Sequence, residues 1–369
     1  MQLQNKIKFG KWEAITLLIN LICAKIFLFY PRITIEDAGT AGWILSIFSS
    51  VVTFILFFIF MKLYARFEGK DILDIAEHLG GKPIKLLFGI TMAGAMLFSE
   101  IIVIREFSED VKVISLPLSP LSFVMIFFII GAVLGSMLGI EAIVRLNAIF
   151  VPVISVAYII ILLGVIPQIE INNIFPILGT GLKDIFGKGL FRVSVFAELL
   201  AIFLLPPFLG DNKNIRSTGY ISLGISSVFL LISSLTYILT FSYPSSLEPF
   251  NPIYQMARLI NLGRFFQRIE SIFVFIWAMA ALLHITSVFY LSVYVIAKST
   301  GLKYMRPLIM PVAVIMFSAA FLQSNLVSTI EMQTTFTYKI FGIGCFLLFV
   351  IVMLLAGLRK RSREGGARK

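Results

Sequence analysis

Leu118-Ser-Pro-Leu-Ser-Phe-Val-Met-Ile-Phe-Phe-Ile-Ile-Gly-Ala-Val-Leu-Gly-Ser-Met-Leu138 contains no charged residue and no histidine. About 20 apolar residues, coiled at ~1.5 Å each, cross the ~30 Å hydrocarbon core of a bilayer. The stretch therefore reads as a membrane-spanning helix, and the sequence on either side repeats the pattern. Apolar stretches of this kind cover residues 12–31, 41–64, 84–114, 118–138 and 142–167. A second set covers 191–209, 217–241, 269–297, 307–322 and 336–358. The ninth is short and contains Pro311. Hydrophobic residues make up 59% of the chain and charged ones 14%, against roughly 25% charged in a soluble domain. The surplus apolar surface needs lipid to cover it. An all-α membrane protein with ten transmembrane helices is expected: one integral membrane domain over residues 1–358 and a basic cytoplasmic tail over 359–369. The first apolar stretch is span-length and lacks a small-residue cleavage site, so it reads as a helix and not as a removable signal.

Lys and Arg gather on one side of these spans. With the N-terminus in the cytoplasm, the inner connections and tail hold 20 of the 31 basic residues, which places both termini inside. The net charge of +11 is this bias and not a nucleic-acid surface. Two connections carry helical periodicity. Ile72, Ile75, Ala76 and Leu79 follow Asp71, a capping residue, and stop at Gly80-Gly81 and Pro83, which predicts an amphipathic helix at the inner interface. Ile253, Met256, Leu259 and Ile260 follow Pro252 and predict a helix over the outer mouth.

The spans divide into repeats of about 12–167 and 191–358. Five crossings are odd, so the second half is inverted relative to the first, the layout of a 5+5 inverted repeat whose first helices are interrupted around a central site. Ionisable residues inside spans cost about 2.5–3.5 kcal/mol each and are seldom idle. Lys25 precedes Pro31 by six residues, and Glu198 follows Phe191 by seven. Both then lie roughly 10 Å below the outer boundary, opposite charges at one depth on the first helix of each half. They read either as a structural ion pair or as ligand contacts, Lys25 taking a carboxylate and Glu198 an amine, with Ala24, Ala197 and Phe196 beside them. Arg105 and Glu106 reach similar depth in span three, and Glu100 lies deeper. His284 sits deep in span eight, as a buried neutral imidazole or a proton carrier. Pro31 and the pair Pro206-Pro207 interrupt the same two helices, although no glycine lies beside Lys25 or Glu198. Cys23 and Cys345 read as packing residues. No phosphate loop, metal-spaced cluster or nucleophile motif is present; no enzyme, metal or cofactor is expected.

The stretch Phe196-Ala-Glu198-Leu-Leu-Ala-Ile-Phe-Leu-Leu-Pro206-Pro207 resembles the sixth span of the endospore germination permease family, the B subunits of GerA-type germinant receptors. Gln267-Arg268-Ile-Glu270-Ser-Ile-Phe-Val-Phe-Ile-Trp277 is similar to that family's signature at the start of span eight, and Lys25-Ile-Phe-Leu-Phe-Tyr-Pro31 with Ala41-Gly-Trp43 fits its opening. The resemblance covers essentially the whole chain. It implies a LeuT-like fold within the amino acid–polyamine–organocation transporter superfamily. It also implies a place in the spore inner membrane beside an A subunit and a lipoprotein C subunit, and a small nutrient, typically an amino acid, as ligand. The expected pocket lies between helices 1, 3, 6 and 8, with Arg105, Glu106, Arg268, Glu270, Trp277, His284 and the three prolines in structural or gating roles. The chain departs from related members where Ala24-Lys25 and Ala197-Glu198 replace glycine-containing breaks. An active amino-acid/cation transporter and a structural subunit without its own ligand stand as alternatives.

Overall fold

The computed structural model describes residues 9–67, 69–209, 212–249, 251–260 and 269–366, and its regular elements are all helical. Helix α1 (Lys11–Cys23) passes into a 3-10 turn (Ala24–Phe27) and then α2 (Tyr30–Ala38), followed by α3 (Gly42–Tyr64). After these come α4 (Ile72–Ser115), α5 (Leu121–Leu138) and α6 (Ile140–Gly164). The second half opens with α7 (Leu182–Arg192), a long 3-10 stretch (Val193–Leu204), the single turn α8 (Pro206–Leu209) and α9 (Asn212–Thr240). It ends with α10 (Pro252–Leu259), α11 (Ile269–Thr300), α12 (Arg306–Ala319), α13 (Leu326–Met332), a π-helical stretch (Gln333–Gly342) and α14 (Ile343–Gly366).

Seven of the described helical stretches are long and apolar enough to cross a membrane, which makes the chain an integral membrane protein. The predicted first, sixth and ninth spans do not reach that length as α-helix. α1 has 13 residues before its bonding changes, the sixth runs 12 residues as 3-10 helix, and α12 has 14 with Pro311 inside. Lipid contact shows in the exposure pattern of α5, where Phe127, Ile130, Leu134 and Leu138 point outward along one helical stripe.

Two groups of helices pack against each other. In one, α2, α3 and α9 meet through hydroxyl-bearing residues: Thr34 and Ser46 both reach Ser234 at 3.1 Å, and Tyr30 donates to Ser46 at 3.0 Å, with α1 packed on α9 beside them. Such small polar residues let backbones approach closely where no hydrophobic driving force separates helices from lipid. The other group is α4, α5, α11 and α12, with α11 lying along α4. α6 joins the groups on one side, and α14 with the π stretch joins them on the other. Residues Phe9 and Arg359 come to one end of the bundle: Phe9 stacks on Phe208, Phe208 meets Tyr294, and Arg359 bonds the carbonyl of Leu79.

The amphipathic segment predicted after Asp71 is helical, with its cap and its stop in place. Asp71 caps it through the Asp74 amide at 2.9 Å, and the chain breaks at Gly80 and Gly81, the latter at φ +76°, a conformation that favours glycine. Ile72, Ile75 and Ala76 are fully buried. The apolar face of the segment packs into the protein, and Lys298 of α11 pins Asp71 and Asp74 at 2.5 and 2.9 Å. α10 buries Ile253 and Met256, and Asn251 caps it through the Tyr254 amide.

Candidate functional site

Lys25 stands in the 3-10 turn that ends α1. Its ammonium donates to the Val195 carbonyl at 2.7 Å and to the Glu198 carboxylate, bringing together residues 173 apart in sequence. Lys25 is 3% exposed and Glu198 18%, the remainder of Glu198 facing a cavity. That cavity, about 90 Å³, lies between α1, α4, the long 3-10 stretch, α11 and the π stretch. Apart from Ser99, Glu100, Ser194, Glu198, Thr337, Tyr338 and Cys345, its wall is apolar.

The 3-10 geometry decides which residues reach it. With three residues per turn, positions i and i+3 eclipse and form three straight rows. The row Ser194, Ala197, Leu200 and the pair Glu198, Ala201 line the cavity. The row Phe196, Leu199, Ile202 is buried in the core away from it. Phe196, expected at the ligand, is therefore a packing residue. Ala24 is likewise displaced: it lines a separate void of about 20 Å³ with Asn20, Cys23 and Tyr158. Of the expected ligand residues, Glu100, Ala197 and Glu198 line the cavity, and Lys25 meets it through Glu198.

Glu100 of α4 is 1% exposed; its Oε2 lies 3.6 Å from His284 Nε2 of α11, outside hydrogen-bond range. Glu100 Oε1 and His284 Nδ1 have no hydrogen-bond partner among the described residues. Arg105 pairs with Glu109 at 2.7 Å and donates to the Ala320 carbonyl, and it is buried. Glu106 is buried as well. Trp277 is fully buried between Phe273 and Phe107 and packs α11 on α4. Arg268 and the side chain of Glu270 lie outside the described residues. Pro31 does not end the first helix but sits in the first turn of α2, and Pro206 opens α8, positions where a missing N–H costs nothing.

Several site residues escaped the sequence reading. Arg192 pairs with Asp37, and its guanidinium stacks 5.6 Å from the Tyr338 ring, with Lys25 6.0 Å away. Tyr338 thus stands between two cations, an arrangement its π-face favours. It comes from the π stretch, whose wide turns bury Gln333, Thr337, Tyr338 and Gly342 together. The available signal was the polar content of Thr337 and Tyr338 near the start of the tenth apolar stretch, with Gln333 just before it.

Comparison with known proteins agrees with this architecture. A family model described as spore germination protein matches residues 8–328. The Bacillus subtilis spore germination protein YndE is 26% identical over 72% of this chain and 74% of its own. Spore germination protein A2 of the same organism is 24% identical over 98% of both. Among solved structures, MhsT in complex with L-phenylalanine superposes with a TM-score of 0.68 at 13% identity, over 96% of this chain and 99% of that one. The nucleobase-cation-symport transporter Mhp1, closed on a bromovinylhydantoin, superposes at 0.67 and 11% identity, over 89% and 75%. The fold is that of LeuT-type transporters, and the chain belongs to the spore germination protein family of permeases.

Proposed function

We propose that this chain is the nutrient-binding permease subunit of a spore germinant receptor, and that a small zwitterion such as an amino acid occupies the cavity bounded by Glu100, Glu198 and Tyr338. The observation that carries the reading is a mostly apolar cavity lined by a few polar groups, Glu100 and Glu198 among them, the usual construction of a small-molecule site. Glu198 is held by Lys25, whereas Glu100 Oε1 is bare. An incoming ammonium would bind the two glutamates, and the ligand carboxylate would take over the Lys25 ammonium. The Lys25–Glu198 pair is then exchanged for two, ligand ammonium with Glu198 and ligand carboxylate with Lys25, and because the zwitterion is neutral its entry leaves the net charge of the site unchanged. In this reading the chain has ten spans in a 5+5 inverted repeat, with helices one and six interrupted at Ala24–Phe27 and Val193–Leu204. One integral domain runs to residue 358 and a basic tail follows. The protein sits in the spore inner membrane with both termini cytoplasmic, beside A and C subunits that read an outward-open to occluded shift.

The test is a thermal-shift screen of the purified protein in detergent against the common amino acids, repeated on Glu100→Gln and Lys25→Ala. One or a few amino acids should raise the unfolding temperature of the wild type and neither variant should respond. A flat response to every amino acid, for the chain alone and for the assembled receptor, would sink the proposal. An amino-acid/cation transporter is the second reading, favoured by the fold shared with MhsT, which was solved with L-phenylalanine bound. Sustained uptake of the same ligand into liposomes by this chain alone would decide for it.

A further inference from the structure

Leu347, Ile351, Leu355 and Arg359 recur every four residues on α14, and all four are exposed. They form one outward stripe of the helix, apolar until its last member. Lys82, Leu86 and Ile90 repeat the arrangement on α4, and they too are exposed. Phe88 and Phe349, 5.6 Å apart, pack the two helices together, and Arg359 donates to the Leu79 carbonyl. Both cations therefore stand at the same end of the packed pair. Helices that face lipid expose apolar side chains through the hydrocarbon and change to Lys or Arg where the phosphates begin. The two stripes place this end of the bundle at headgroup level.

At that end lies a recess of about 450 Å³ lined by Lys70, Asp74, Glu77, His78, Gly81 and Arg359. Its acids are already engaged, Asp74 with Lys298 at 2.9 Å and Glu77 with Lys85 at 2.7 Å. Lys70 and Arg359 enter no ion pair among the described residues. Arg359 is held by a carbonyl, and Lys360 beside it by the Arg66 carbonyl at 2.7 Å and the face of Phe67 at 5.7 Å. Phe67 meets His78 edge-on at 6.1 Å, so the end of α14 and the first turns of α4 share one wall. Neutral partners fix these cations in position without cancelling their charge. A fixed, uncancelled pair of cations at headgroup depth is suited to a phosphate.

We propose that this recess binds the headgroup of an anionic phospholipid, with Arg359 and Lys70 on the phosphate and the acyl chains on the apolar stripes of α14 and α4. Arg offers the phosphate a planar fork and Lys a point charge. A zwitterionic lipid brings its own ammonium towards cations and gains less. An acidic polypeptide would meet the same cations but not the apolar stripes that lead to them; one lipid meets both. The recess shares no lining residue with the nutrient cavity, so the site stands whichever nutrient binds there, or none.

The test uses the full-length protein purified in a neutral detergent. Its unfolding temperature is measured with added short-chain phosphatidylglycerol, with phosphatidylcholine of the same chains, and with inorganic phosphate, all at equal ionic strength. Phosphatidylglycerol should raise the temperature by a few degrees, saturably, and phosphatidylcholine should do so much less. Arg359→Gln and Lys70→Gln should each lose most of that gain, whereas Arg145→Gln, in an exposed pair with Glu141 on α6, should keep it. Equal gains from the two lipids would overturn the proposal, and so would a gain that both recess variants retain. An equal gain from inorganic phosphate would assign a soluble anion instead, and a gain from polyglutamate with none from phosphatidylglycerol would assign an acidic polypeptide; either result overturns it. If the recess variants do not accumulate, native mass spectrometry of the wild type decides: retention of phosphatidylglycerol against competing phosphatidylcholine supports the site, and equal retention or loss of the two overturns it.

Discussion

Lys25 and Glu198 show what a single residue choice does to a membrane interior. Neither side chain is tolerable alone at this depth, and each makes the other acceptable. Lys25→Met therefore leaves Glu198 uncompensated and should destabilise the protein by about 3 kcal/mol, near the lower bound for a broken buried pair because Glu198 retains some exposure. Lys25→Met with Glu198→Met should recover most of that loss while abolishing any ligand-induced thermal shift. Denaturation of the four proteins as a double-mutant cycle measures the coupling, and additive single effects would show that the pair carries none. This pair was legible in the sequence because charge and depth can both be counted along a helix. Arg192 and Asp37 were not: they lie 155 residues apart, at span ends where ionisable residues are common, and only the folded packing of α2 against α7 unites them.

The elements that shape the cavity were the hardest to foresee, and for a physical reason. Ala197-Glu198 has no glycine, and local propensity there favours an α-helix, yet Val193–Leu204 is drawn into a 3-10 helix. The tightening is set by tertiary contact: Lys25 binds the Val195 carbonyl from one side, and the π stretch closes on it from the other. Gly342 marks that approach, since a Cβ there would overlap the Ser194 side chain. Gly342→Ala should cost about 1–3 kcal/mol as an overpacking change and should weaken the ligand-induced shift by prising the π stretch from the 3-10 stretch. Gly344→Ala, two residues on, meets nothing within 4 Å and should be neutral or slightly stabilising through helix propensity. Thermal unfolding of the two variants with and without ligand separates them, and equal behaviour would mean that this close approach does not shape the cavity. By contrast α5, α6 and α9 were readable almost to their ends, because lipid imposes length and apolarity on any uninterrupted span.

At the scale of the molecule, the end of the bundle near Phe9 and Arg359 carries a cluster of ionic and hydrogen-bond contacts. Lys298 reaches Asp71 and Asp74, and Tyr294 donates to Asp71 at 3.2 Å, so the end of α11 is fastened to the cap of α4. Asp71 is fully buried, and removing Lys298 leaves its charge without a counter-ion. On the proposed reading, an α11 freed from α4 at that end would give the cavity a second opening, which is what alternating access between the two groups of helices would require. The chain supplies its own reporter. It has two cysteines; Cys345 lines the cavity, and Cys23 lies in the separate small void. In a Cys23→Ala background, Lys298→Ala should speed alkylation of Cys345 by a small maleimide, since each ~1.4 kcal/mol lost from the closed state raises the open population about tenfold. Bound amino acid should slow the reaction in both proteins by occupying the space beside the thiol. A labelling rate unchanged by Lys298→Ala would mean that the Lys298 latch does not control access to the cavity, and closure would then have to reside in the packing of the π stretch against Ser194.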